Sequence, residues 1–111
     1  MSHISTHILD TSLGKPGAGI IVRLEQESAD GWRLLGEHAT SADGRVPSLY
    51  DAPLPAGRYR LSALIGEWFA RGGRETLYPV AQIDVTLPRS GEHYHLPFLI
   101  APWGWSTYRG S

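Results

Sequence analysis

Two histidines spaced two residues apart, His93 and His95, are the chain's first candidates for chemistry. In a strand, side chains at that spacing leave the same face, as metal ligation or a paired acid/base arrangement requires. The same pattern also marks an ordinary exposed strand. The possible third donors, His7, His38, Asp84 and Glu92, follow no zinc-ligand spacing. His7 falls on the polar side of an alternating run, where a plain surface histidine is the simpler reading. Arg45, directly after Asp43-Gly44, offers a planar fork for an anion, against the ordinary reading of a solvated charge after a turn. Asp10 suits a turn cap ahead of Ser12-Leu13-Gly14 better than a base. Trp68, Phe69, Tyr78, Trp103 and Trp105 are candidates for an aromatic cage, and more simply for packing. No Gly-x-Ser-x-Gly elbow, P-loop or dinucleotide fingerprint occurs, so serine-nucleophile and nucleotide chemistry are unsupported.

The elements that must position these residues are short. With 13 Gly and 8 Pro in 111 residues, long helices are excluded and short strands joined by tight turns are expected. A first strand runs from His3 to Leu9, with Ile4, Thr6 and Ile8 on one face and Ser5 and His7 on the other. Ile20, Val22 and Leu24 mark a second strand, and Trp32 to Thr40 a third, closed by Asp43-Gly44 as a tight hairpin turn. Arg58–Ile65 alternates as a fourth, and Val80–Leu87 has the cleanest alternation in the chain. Glu92–Ala101 reads as one strand with Pro97 at an edge or irregular position, and Trp103–Ser111 as a last one. The one helical candidate is Glu67–Arg71, stopped by Gly72-Gly73. The whole reads as an all-β sandwich in a single domain spanning 1–111.

Composition narrows the partners. Ten basic residues against eleven acidic ones leave a net charge of -1, so no global field holds a polyanion and nucleic acid is not expected. No apolar run approaches the length of a bilayer span, and the amino-terminal residues show no secretory signal, which makes the cytoplasm the expected compartment. Cysteine is absent, excluding a disulfide framework and a thiolate nucleophile.

Taken together, these segments resemble the 5-hydroxyisourate hydrolases, the enzymatic branch of the transthyretin-like family. The resemblance rests on Ser5-Thr6-His7-Ile8-Leu9-Asp10 followed by Gly14-x-Pro16, on Thr40-x-x-Asp43-Gly44-Arg45 and on Gly73-Arg74-Glu75-Thr76-x-Tyr78-Pro79. His93-Tyr94-His95-Leu96-Pro97 and the terminal Ser106-Thr107-Tyr108-Arg109-Gly110-Ser111 complete it. Tyr-Arg-Gly-Ser at the end looks like the tetrapeptide that separates these hydrolases from the hormone carriers.

The resemblance implies two four-stranded sheets with one short helix, assembled as a homotetramer with active sites at the dimer–dimer interface. It implies cofactor-free and metal-free hydrolysis of 5-hydroxyisourate to 2-oxo-4-hydroxy-4-carboxy-5-ureidoimidazoline. His7, Arg45, His95 and Ser111 match the family's catalytic positions, and Tyr108, Arg109 and Gly110, with His7 and Arg45, its substrate-binding positions. Trp103 and Trp105 stand where other members often carry different aromatics. The expected chemistry is water attack on a cyclic amide, with one of His7 and His95 taking the proton; the residues do not assign which. A non-catalytic transthyretin-like binding protein is the alternative from another class, and a metal-dependent hydrolase using His93 and His95 is a further rival.

Overall fold

A computed structural model describes residues 2–89 and 91–110. Ten strands and one helix follow in order: β1 (His3–Asp10), β2 (Lys15–Pro16), β3 (Ile21–Ser28), β4 (Gly31–Ala39), β5 (Arg45–Val46), β6 (Gly57–Ala63), α1 (Ile65–Arg71), β7 (Ala81–Leu87), β8 (His93–His95), β9 (Phe98–Ala101) and β10 (Gly104–Thr107). They form two sheets. One is antiparallel and four-stranded, in the order β4-β3-β6-β7. The other is built around β1, in the order β10-β9-β1-β2, with β5 and β8 also paired to β1.

The second sheet departs from the expected four strands because short segments share β1's partners. β8 and β9 both run parallel to β1, pairing His3 to Ser5 with His93 to His95 and Ile8 to Asp10 with Phe98 to Ile100. β5 and β2 run antiparallel to it, opposite Thr6-His7 and Leu9-Asp10. The single strand expected over Glu92–Ala101 is therefore broken at Leu96-Pro97. Proline has no N–H to give a ladder, and hydroxyls accommodate the break: Thr6 Oγ1 donates to the Leu96 carbonyl at 2.6 Å and Thr107 Oγ1 to the Pro97 carbonyl at 2.8 Å.

The inward faces of both sheets close on one core. From the β1 sheet come Ile4, Ile8, Phe98 and Ile100, and from the other Val22, Leu24, Tyr59 and Leu61, all essentially inaccessible. Alternation did its expected work in β1, where Ile4, Thr6 and Ile8 are buried on the inner face. The fourth strand stops at Ala63, so Ile65 opens α1 instead of ending a strand, and Ile65 and Phe69 plug the helix into the core. Arg71, spaced to meet Glu67, reaches the Gly19 carbonyl at 3.2 Å instead. No helix of the described residues is long and apolar enough to cross a membrane.

Candidate active site

The polar face of β1 is the base on which the site is built. Ser5 and His7 leave it on the side opposite Ile4 and Ile8, and strand register supplies their neighbours: Arg45 lies opposite His7, and His95 opposite Ser5. Three segments far apart in sequence thus bring His7, Arg45 and His95 onto one sheet face.

Arg45 reaches that position through a turn of a different kind from the hairpin expected at Asp43-Gly44. β4 and β5 belong to different sheets, so the turn carries the chain across the sandwich. Gly44 makes this possible. Its φ is +80°, and a Cβ there would lie 2.5 Å from the Ile8 carbonyl oxygen. That close approach lets the Ile8 N–H donate to the Gly44 carbonyl at 2.8 Å, which locks the turn to β1 one residue before Arg45. Asp43 forms an ion pair with Arg45 at 3.5 Å, and its carbonyl lies 2.9 Å from His7 Nε2. The hydroxyl of Ser41 and the arginine and histidine beside it hold the exposed Asp43 carboxyl below the usual range, the Ser41 hydrogen bond first.

His95 is the more enclosed of the two candidate histidines. Its Nδ1 lies 2.8 Å from Ser5 Oγ, and the same hydroxyl lies 2.7 Å from His93 Nε2. Against the other edge of the ring sits Gly110, whose N–H donates to the His95 carbonyl at 2.7 Å. A Cβ at Gly110 would be 2.7 Å from His95 Cδ2, so a side chain there collides with the imidazole. Burial, followed by the positive charges of Arg45, His7 and His93, pushes the His95 pKa below its ordinary value. That shift favours the neutral ring, whose unprotonated nitrogen can accept a proton.

Not every expected residue faces that centre. The Arg109 guanidinium stacks over the Tyr94 ring at 4.3 Å, pairs with Glu92 at 3.6 Å and approaches the His93 carbonyl at 3.5 Å. Tyr108 is exposed beside it. Ser111 lies outside the described residues. Asp10 is the expected cap: Oδ1 accepts the N–H groups of Ser12 and Leu13 at 3.0 and 3.1 Å, and Oδ2 accepts Trp68 Nε1 at 2.9 Å and Arg74 Nη2 at 2.5 Å. Trp68 is thereby a structural donor, and Trp105 packs on Phe98 with ring centroids 5.9 Å apart. The caging role is left to neither. His38 is held by the Leu49 carbonyl at 3.0 Å, and among the described residues no group of three or more His, Cys, Asp or Glu is arranged to hold a metal.

Ser5 is the residue that the sequence reading passed over. Its alternation with His7 placed it on the correct face, but its link to two histidines comes from a register that joins residues 90 apart.

Two parallel-paired histidine segments and a turn-borne arginine on the outer face of a β-sandwich define a transthyretin-like protein with a polar site on that face. The match to the HIUase/Transthyretin family covers residues 4–110, and the chain belongs to that family. It is 40% identical to the 5-hydroxyisourate hydrolase of Caulobacter vibrioides over 115 aligned positions that cover 100% of both chains. Among solved structures, the Klebsiella pneumoniae 5-hydroxyisourate hydrolase superposes with a TM-score of 0.91 at 53% identity, covering 100% of both chains. Transthyretin from Sparus aurata superposes with a TM-score of 0.89 at 26% identity, covering 96% of this chain and 95% of its own.

Proposed function

We propose that this chain hydrolyses 5-hydroxyisourate to 2-oxo-4-hydroxy-4-carboxy-5-ureidoimidazoline, by water attack on the cyclic amide and without a cofactor. The observation that carries the reading is the meeting of His7, Arg45 and a neutral-biased His95 on one sheet face, in a chain whose full-length relatives bear that hydrolase name.

Water is a poor nucleophile, and amide opening near neutral pH needs a base to take its proton and an acid to return one to the leaving nitrogen. One histidine, with a lowered proton affinity, serves both ends of that cycle. As the water oxygen bonds to the carbonyl carbon, the proton passes to the imidazole and negative charge gathers on the carbonyl oxygen, where the Arg45 fork stabilises it. Collapse then breaks the C–N bond, and the imidazolium gives its proton to the departing nitrogen. His7 and Arg45 bind the flat anionic ring, Tyr108 supplies an aromatic wall, and Arg109 and Gly110 shape the pocket. The hydroxyl of Ser111 is proposed to complete a proton relay.

The proposed assembly is a homotetramer with the sites at the dimer–dimer interface. Supporting it, the site's Arg45 is half exposed and the large aromatics Trp103 and Tyr108 are 67% and 56% exposed, the kind of open surface that a second copy would cover, with water excluded from the site. The working unit is the single domain spanning 1–111. The proposed setting is the cytoplasm, and neither nucleic acid nor membrane is a proposed partner.

The test is to generate 5-hydroxyisourate in place from urate with a urate oxidase and follow its ultraviolet decay with and without the protein. Decay faster than the spontaneous rate supports the hydrolase. Decay at the spontaneous rate rejects it and leaves the small-ligand carrier.

A further inference from the structure

We infer that Ser5 and His93 form a hydrogen-bond chain that holds the His95 imidazole in its Nδ1–H tautomer, so that Nε2 is the basic nitrogen of the site. Both are positioning residues, and the chemical meaning of the chain rests on the hydrolase reading above.

The geometry is specific. Ser5 Oγ stands 2.7 Å from His93 Nε2 and 2.8 Å from His95 Nδ1, and Ser5 is itself nearly inaccessible, covered by the two rings. A hydroxyl has one proton to give, so at least one of the two ring nitrogens must donate to it. Three arrangements satisfy that count. In one, His95 Nδ1–H donates to Ser5, which donates to His93 Nε2. In another, both rings donate to Ser5. In the last, His93 donates to Ser5, which donates to His95 Nδ1. The first two leave His95 Nε2 with a lone pair; only the last places the proton there.

Nδ1 points into the sheet at Ser5, so the only nitrogen of His95 available to an attacking water is Nε2, and it serves as a base only when Nδ1 carries the proton. The first arrangement also survives the reaction cycle unchanged. When Nε2 takes the proton from water, Nδ1–H still donates to Ser5, Ser5 still donates to His93, and no hydroxyl has to rotate. His93 can supply the acceptor because it is exposed, so the proton of its neutral form can sit on Nδ1 and be donated to solvent while Nε2 accepts from Ser5.

The decisive measurement is the tautomer of His95, read from two-bond proton–nitrogen correlations of the imidazole rings in the full chain labelled with nitrogen-15, with no substrate present. The wild type is expected in the Nδ1–H form, and Ser5→Ala in a mixture, with kcat reduced about 10- to 100-fold and KM little changed. Ser5→Thr, which keeps the hydroxyl, restores the tautomer. At the exposed position, His93→Leu weakens it without touching the core, whereas His93→Gln, with an amide oxygen near the place of Nε2, recovers most of the lost kcat. A wild-type His95 found mainly as Nε2–H overturns the inference, as does a tautomer unmoved by Ser5→Ala. A tautomer that responds as expected in a protein that never accelerates 5-hydroxyisourate decay upholds the chain and rejects the hydrolase.

Discussion

β1 carries two polar clusters of opposite character, one at its carboxyl-terminal end and one around Ser5 and His7. At the carboxyl-terminal end, Asp10 is fully buried, and its two oxygens accept from Ser12, Leu13, Trp68 and Arg74. Burial pushes its pKa up, but those hydrogen bonds together outweigh burial and bring it to about 2. Further back along the strand, from Ser5 to its middle at His7, the second cluster is different: His7 and Arg45 are partly or largely open, and His95 keeps one ring edge against Ser5 while its charge is disfavoured by burial and by cations. A buried polar group whose bonding capacity is used up has nothing left to offer a substrate and fixes the fold. A half-satisfied group with a shifted proton affinity is the one with chemistry still to do. Both clusters perturb a pKa, so the shift alone does not tell structure from function; the remaining bonding capacity does.

Breaking the open cluster should have the largest effect. His95→Ala is expected to lower kcat/KM for 5-hydroxyisourate by about 100- to 10,000-fold, with an unchanged melting temperature. Breaking the saturated cluster should do the reverse. Asp10→Ala is expected to cost about 3 kcal/mol of stability, because Trp68 Nε1 and Arg74 lose their acceptor, while kcat of the folded fraction stays within about twofold in assays below the melting transition. Equal losses of activity from both variants after correction for folding would erase the distinction.

Acid separates the clusters further. The Asp10 pKa, at about 2, lies below the ordinary aspartate value of 3.8, so its contribution is complete above about pH 4 and is lost as pH falls towards 2. Denaturant titrations across that window should show a loss on the order of 2 kcal/mol that is absent in Asp10→Ala. Activity should fail for a different reason. The acid limb of kcat/KM should lie below the ordinary histidine value of 6.5, because the His95 pKa is depressed, and Arg45→Gln should move that limb upward by removing a cation. The smallest effect is steric: Gly110→Ala should displace the His95 ring and lower kcat about tenfold, with stability within about 0.5 kcal/mol.

The saturated cluster was the easier of the two to read from sequence. Asp10 followed by Ser12-Leu13-Gly14 is a local signal, and the structure places the capping bonds there. The alternation of β1 and β7 was legible for the same reason, since period-two burial needs only neighbours in the chain. The partnership of Ser5 with His93 and His95 was not, because parallel pairing between residues 90 apart leaves no local trace. The Asp43-Gly44 turn was located correctly but read as joining neighbours, since the dipeptide reports a backbone angle and not the sheet in which the next strand lands. Resemblance to a family supplied the grouping of His7, Arg45 and His95 that spacing alone had left open.

The parallel pairing of β1 with β8 and β9 also sets an order in time. β1 is made well before its two parallel partners, with 90 residues between Ser5 and His95. At about 5–20 residues per second, roughly 5–20 s separate the synthesis of Ser5 from that of His95. During that interval β1 has β2 and β5 but lacks the two parallel partners, and a chaperone that shields its unpaired backbone has a defined window in which to act. Any product cut short before residue 93 lacks both parallel partners of β1.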